Sequence, residues 1–170
     1  MGWKKIEEGE ALTHQTKQEQ QTVYIKRDFP QVYIRTFGYF DVFVNGKILG
    51  FPSKKGKELL AILVDRRGGS CSTEEAVSIL WENEPMSRRS TGRYRQTVLR
   101  LKKILDEADI GEILITKRGE RCVDTSRFSC DLNQYLSGEE KYSNLYHGLY
   151  MMNYSWGENT LAMLSAVKRG

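Results

Sequence analysis

Two periods run along this chain. Between Val32 and Phe51, apolar and polar residues alternate in the short runs "VYIRTFG", "YFDVFVNG" and "KILGF", the spacing of strands that bury one face. Asn45-Gly46 lies between two of these runs and predicts a tight hairpin, since both residues tolerate positive φ. Three or four antiparallel strands are therefore expected over residues 31–51. Upstream, "TVYIKR" (22–27) is strand-like, whereas residues 1–21 are polar and aperiodic after Trp3. Residues 1–30 are read together as a partly disordered arm or linker.

The period then lengthens. In "SKKGKELLAILVDRRGG", Leu59, Leu60, Ile62 and Leu63 share one helical side, with Ser53 as N-cap and Gly68-Gly69 as the stop. "STEEAVSILW" opens with Ser72 and Glu75 at capping-box spacing and turns Ala76, Ile79 and Leu80 inward. The Pro-containing connection "ENEPMS" leads to a third helix over 88–105, and "ILIT", "KRGE" and "RCVD" then read as strand, turn and strand over 113–124. The order predicts an α+β fold with an N-terminal antiparallel sheet, three helices and a C-terminal hairpin.

The third helix, "RRSTGRYRQTVLRLKKIL", holds seven Lys or Arg residues and no acid before Asp106. Tyr94, Val98, Leu101 and Leu105 fall within about 60° on a helical wheel, a narrow stripe that faces the core. Arg93, Thr97 and Arg100 project from one flank of that stripe and Arg95 and Lys102 from the other, while Gln96 and Lys103 point away from it. Exposed helices usually mix signs, because like charges repel at this spacing. A solvated cationic surface is the plain alternative; an anionic partner explains the one-sided charge better. The hairpin turn adds Lys117, Arg118 and Arg121, and a basic hairpin beside a basic third helix is the winged helix-turn-helix arrangement.

Composition narrows the choice. The net charge over 170 residues is only +4, so the distribution of charge is more informative than its total. Three cysteines and two histidines form no metal-ligand spacing, and no cofactor site is legible. There is no GxSxG or HExxH motif, and "FPSKKGKELL" lacks phosphate-loop spacing, so no enzyme is expected. The first residues lack a signal-peptide core, and "LLAILV" is too short to span a bilayer, so a cytoplasmic protein without a membrane partner is expected.

Residues 31–134 resemble the winged-helix effector domain of OmpR/PhoB-type response regulators, most closely the variety in Streptomyces antibiotic regulatory proteins. "IRTFGYFDVFVNGK", the two central helices, "YRQTVLRLKKIL" and "ILITKRGERCVDTSRFSCDLNQY" carry the similarity. The resemblance implies a bacterial transcription regulator that binds double-stranded promoter DNA, commonly as copies arranged head to tail on direct repeats. It places base and phosphate contacts at Arg93, Gln96, Thr97, Arg100, Thr116 and Arg118. It also makes "ENEPMSRR", with Glu82 and Glu84, a loop that touches RNA polymerase in relatives. Gly92 and Leu99 depart from the family pattern at positions often held by cations, and Arg121 stands where an aromatic commonly anchors the wing. No receiver domain is legible, and "YHGLYMMNYSWGENTLAML" resembles the start of a helical activation domain, giving a C-terminal extension over 135–170.

On the residues themselves, Arg93, Gln96 and Arg100 are the candidates for base edges, and Thr97 for a phosphate or a thymine methyl. Arg89, Arg95, Lys102, Lys103, Lys117, Arg118 and Arg121 are the candidates for phosphates. Trp81 is assigned to the core, and the tail aromatics Tyr146, Tyr150, Tyr154 and Trp156 to packing against the domain. The competing reading is a winged-helix module that docks an acidic protein or self-associates through its tail.

Overall fold

The computed structural model describes residues 3–6, 23–26 and 28–167. Its strands are β1 (Trp3–Ile6), β2 (Val23–Lys26), β3 (Val32–Arg35), β4 (Asp41–Val44) and β5 (Lys47–Ile48), then β6 (Leu114–Lys117), β7 (Glu120–Val123) and β8 (Ser129–Cys130). The helices are α1 (Lys54–Asp65), α2 (Thr73–Leu80), α3 (Arg88–Glu107), α4 (Asp131–Leu136) and α5 (Glu158–Val167). The mixed α+β class is as expected. None of these helices is long and apolar enough to cross a membrane.

The N-terminal segment contributes two short strands. Residues read as an arm form an antiparallel ladder, β1 with β2, pairing Trp3 with Lys26 and Ile6 with Val23. The alternation in "TVYIKR" accounts for β2. Its partner "WKKI" is too short to display a period. The rest of the arm, up to residue 22, lies outside the described residues.

The main sheet has the order β5-β4-β3-β8, antiparallel except for β3 and β8, which run parallel. Alternation works here as the pattern demands: Val32, Ile34 and Val42 are buried, while Tyr33 and Phe43 pair on the opposite face and stay partly exposed. Asn45 and Gly46 turn the chain with φ of 49° and 80°, as their sequence predicts.

Each of the first three helices begins at a side-chain cap. Ser53 Oγ accepts from Gly56 N at 3.0 Å. Ser72 and Glu75 exchange the two bonds of a capping box, and the Ser72 backbone bond holds the Glu75 carboxyl below the usual carboxylate range. At α3 the box is built from two serines: Ser87 Oγ accepts from Ser90 N at 3.1 Å, and Ser90 Oγ accepts from Ser87 N at 2.8 Å. Leu59, Leu60 and Leu63 of α1, Ala76, Val77 and Leu80 of α2, and Tyr94, Val98, Leu101 and Leu105 of α3 meet in one core. Burial of each large apolar side chain contributes about 1.5–3 kcal/mol.

A buried carboxylate joins the sheet to the chain that leaves the hairpin. Asp131 accepts from Thr36 N at 2.8 and 3.0 Å, from the Thr36 hydroxyl at 2.6 Å, from Phe37 N at 2.9 Å and from Leu132 N at 2.8 Å. The chain end then packs back on the same region. Met151 N donates to Thr36 O at 2.8 Å and Gly38 N donates to Leu149 O at 3.0 Å. Phe37 sits among Tyr135, Tyr146 and Tyr150, with ring centroids 5.3–6.4 Å away. Tyr146 and Tyr150 are buried, and Tyr154 and Trp156 are partly buried against the core, stacked 5.2 Å apart. On the far side, Tyr150 OH donates to Asp65 at 2.5 Å and Thr160 OH to the same oxygen at 2.7 Å.

Burial first, and the Asp65 carboxylate second, push the Tyr150 phenol above its ordinary value; burial does the same for Tyr154. A phenol whose folded pKa lies above its unfolded value contributes stability that is complete below about pH 10 and is lost as pH rises further. The denaturant midpoint should thus fall above about pH 10. Tyr150→Phe, with no proton to lose, should cost about 1–2 kcal/mol at pH 7 and show a shallower alkaline fall. Urea titrations of both proteins from pH 7 to 11 check this.

Candidate nucleic-acid interface

The helix α3 is placed by what it buries. Ser90 and Thr97 join Tyr94, Val98, Leu101 and Leu105 in its buried arc, so that arc is wider than the apolar stripe alone. Arg89, Arg93, Arg95, Gln96, Leu99, Arg100, Lys102 and Lys103 are all exposed on the remainder. Among the described residues no ion pair engages Arg89, Arg95, Arg100 or Lys102. Lys103 leans toward Glu107 at 3.9 Å, a loose pair with both side chains mostly in solvent.

Thr97 does not belong to this outer set. It is 4% exposed, and its hydroxyl donates to Arg93 O at 2.9 Å, within its own helix. The reading of Thr97 as a contact to phosphate or thymine is therefore corrected. A threonine at the edge of the buried arc satisfies its hydroxyl internally and spends its methyl on packing.

The hairpin β6–β7 reverses at Arg118 and Gly119, whose φ values are 53° and 77°, a two-residue turn with both centres left-handed. Thr116, Lys117 and Arg118 are exposed. The base of the hairpin is fixed. Cys71, just before α2, exchanges backbone bonds with Arg121 at 2.8 and 3.0 Å, adding a third, one-residue edge to the ribbon. Val123 is buried in the core.

Arg121, read from the sequence as a phosphate contact, is half-buried and turned toward α3. Its guanidinium lies 5.2 Å from the centre of the Tyr94 ring and donates to the Tyr94 hydroxyl at 3.2 Å. The long side chain thus lies against a tyrosine of α3 where an aromatic would otherwise pack, and the hairpin is joined to the first half of that helix. Arg121 Nε is buried without a hydrogen-bond partner among the described residues. A cavity of about 260 Å³ opens beside it, lined by Ser70, Lys117, Arg118, Glu120 and Cys122 as well as Arg121.

The connection between α2 and α3 holds both acids assigned to it. Glu82 and Glu84 are exposed, but Glu84 is engaged: both of its oxygens accept from Arg93 Nη1, at 2.5 and 2.7 Å. The Arg93 guanidinium also lies 4.7 Å from the Trp81 ring centre. Trp81 is half-buried, packing on the core with one face and on Arg93 with its ring. The sequence reading missed this trio because its members are nine and twelve residues apart, across a proline turn rather than along one helix. All three cysteines are free; burial pushes the Cys130 thiol to about 12 and that of Cys71 upward, while Cys122 is half-buried beside the cavity.

No protein-family model and no curated protein matches this sequence. In fold the chain is similar to Mycobacterium tuberculosis EmbR, whose structure was solved in complex with a low-affinity phosphopeptide, with a TM-score of 0.67 at 16% identity. The match covers 82% of this chain and 43% of EmbR, so the chain spans less than half the length of that protein. The likeness is one of fold, a mixed α+β arrangement.

Replacing Arg121 tests its structural role. Arg121→Ala should destabilise the protein by about 1–2 kcal/mol through lost packing and cation–π contact. Arg121→Phe should restore most of that loss, since an aromatic ring covers Tyr94 and buries no unpaired nitrogen. Thermal denaturation of the three proteins decides; equal loss in both variants would show that the aromatic cannot replace the guanidinium.

Proposed function

We propose that this chain is a bacterial transcription regulator, or the output portion of one, that binds promoter duplex DNA as a winged helix-turn-helix. In this reading α2 and α3 form the helix-turn-helix and β6–β7 the wing. One observation supports it above the others: α3 spends one arc on the core and presents on the other a set of exposed cations without carboxylate partners among the described residues. At 20 residues the helix is about 30 Å long, suited to lying in a major groove.

The roles follow from position. Gln96 and Arg100 lie on the outer arc, with side chains unengaged among the described residues and suited to adenine and guanine edges respectively. Arg89, Arg95, Lys102 and Lys103 flank them and suit phosphates, as do Thr116, Lys117 and Arg118 at the wing. Arg93 reads a base only in the company of Glu84. The resemblance to antibiotic-regulator effector domains adds direct-repeat sites, head-to-tail copies on DNA, and a loop at Glu82 facing RNA polymerase in a cytoplasmic setting.

Sites selected from a random duplex pool should converge on one sequence. Against that sequence, Arg100→Ala should weaken binding by about 1–3 kcal/mol more than against scrambled duplex. The logarithm of affinity should fall linearly with the logarithm of salt, with a slope set by several released counterions. A flat salt profile, or selection of no common site, would overturn the reading; retention by an acidic protein instead would favour a protein-docking module.

A further inference from the structure

Arg93 differs from the other cations of the outer arc in being already held. Its clasp comes from the preceding turn: Trp81 closes α2, Glu84 follows three residues later, and Glu84 N donates to Trp81 O at 2.9 Å. Ring and carboxylate therefore ride on one hydrogen-bonded turn, ahead of Pro85 and the Ser87 cap.

The geometry of the clasp leaves part of the guanidinium open. Glu84 takes only Nη1, and the ring covers one face of the planar group. The Nε–Nη2 edge makes no hydrogen bond among the described residues. That edge carries two parallel N–H donors, the pattern that meets O6 and N7 of guanine together. A free arginine must surrender much rotamer freedom to make such a contact, whereas a stacked and clasped one has surrendered it already. The carboxylate also cancels the charge of Arg93, so this side chain adds little to indiscriminate attraction for phosphates.

We propose that Glu84 and Trp81 are positioning residues that present the Nε–Nη2 edge of Arg93 to a guanine in the major groove. The inference rests on the duplex-binding reading above. Glu84 thereby determines specificity although it need not touch the DNA. A loop acid assigned on resemblance to polymerase contact acts here on the reading head of its own chain.

The experiment uses the full chain, the duplex that the wild type selects from a random pool, all single-base variants of that duplex, and a scrambled duplex of equal length. Glu84→Gln keeps the size and exposure of the side chain and removes its charge. It should bind scrambled duplex more tightly, with a salt slope steeper by about one because Arg93 becomes free to neutralise a phosphate. At one G·C pair its preference over the other bases should drop by about three- to tenfold. Glu82→Gln removes the same charge from the same connection without touching Arg93, and should leave the single-base preferences as in wild type. Arg93→Ala should abolish preference at that same pair, and adding Glu84→Gln to it should change the preference no further. Unchanged single-base preferences in Glu84→Gln, or equal changes in Glu82→Gln, would overturn the positioning role while leaving DNA binding in place. Absence of any selected duplex would overturn both readings together. The clasp itself is read without DNA: in the free chain, slowed exchange of the Arg93 guanidinium protons should be lost in Glu84→Gln, and fast exchange in wild type would overturn it.

Discussion

The rotation of α3 about its own axis is the constraint on which the rest depends. Tyr94, Val98, Leu101 and Leu105 are buried, as are Ser90 and Thr97, and together they lock one arc of the helix against α1 and α2. Turning the helix by one residue, about 100°, would expose several of these side chains at about 1.5–3 kcal/mol each and would draw cations into the core. The direction in which Arg89, Gln96, Arg100 and Lys103 point is therefore fixed by packing, before any ligand arrives. A helix positioned in this way meets a partner as a rigid template.

Around that template the chain manages its excess charge in three ways. Arg93 is neutralised by Glu84 and covered by Trp81. Arg121 is laid on Tyr94 and becomes a packing element of the hairpin. The remaining cations are left in water, where repulsion between them is softened by solvent and salt. The distinction matters because a count of basic residues treats all three groups alike. Arg93 has its charge cancelled by a carboxylate, Arg121 keeps its charge in a fixed position, and the third group keeps both charge and freedom.

Much of the fold was legible because the local signals agreed with the global packing. Asn45-Gly46 turns where it reads as a turn, Ser53 and Ser72 cap the helices they precede, and the tail aromatics Tyr146 and Tyr150 fold back on Phe37. What was not legible depends on pairs distant in sequence. The clasp on Arg93 requires knowing how the proline turn folds, and the bond between Arg121 and Tyr94 spans 27 residues. Thr97 was misread because a helical wheel centred on four apolar residues draws the buried arc too narrow; a small polar side chain at its margin can be inside. Trp81 shows a related blind spot, since packing on the core and stacking on a cation are not alternatives for a large ring. The ladder of Trp3–Ile6 with Val23–Lys26 escaped for lack of length rather than lack of signal.

The carboxylate of Asp131 has a consequence for how the molecule is made. It stitches backbone N–H groups at positions 36 and 37 to a segment nearly a hundred residues later, beside the only parallel strand pair among the described residues. During synthesis the β3–β4–β5 meander can form early, but one side of β3 has no partner until Ser129 and Cys130 emerge. Closing so long a loop is slow and carries an entropic cost that local helices do not. The helices are therefore expected to assemble while that flank of the sheet is still bare, and completion of the domain waits on a single acid near the end of its core.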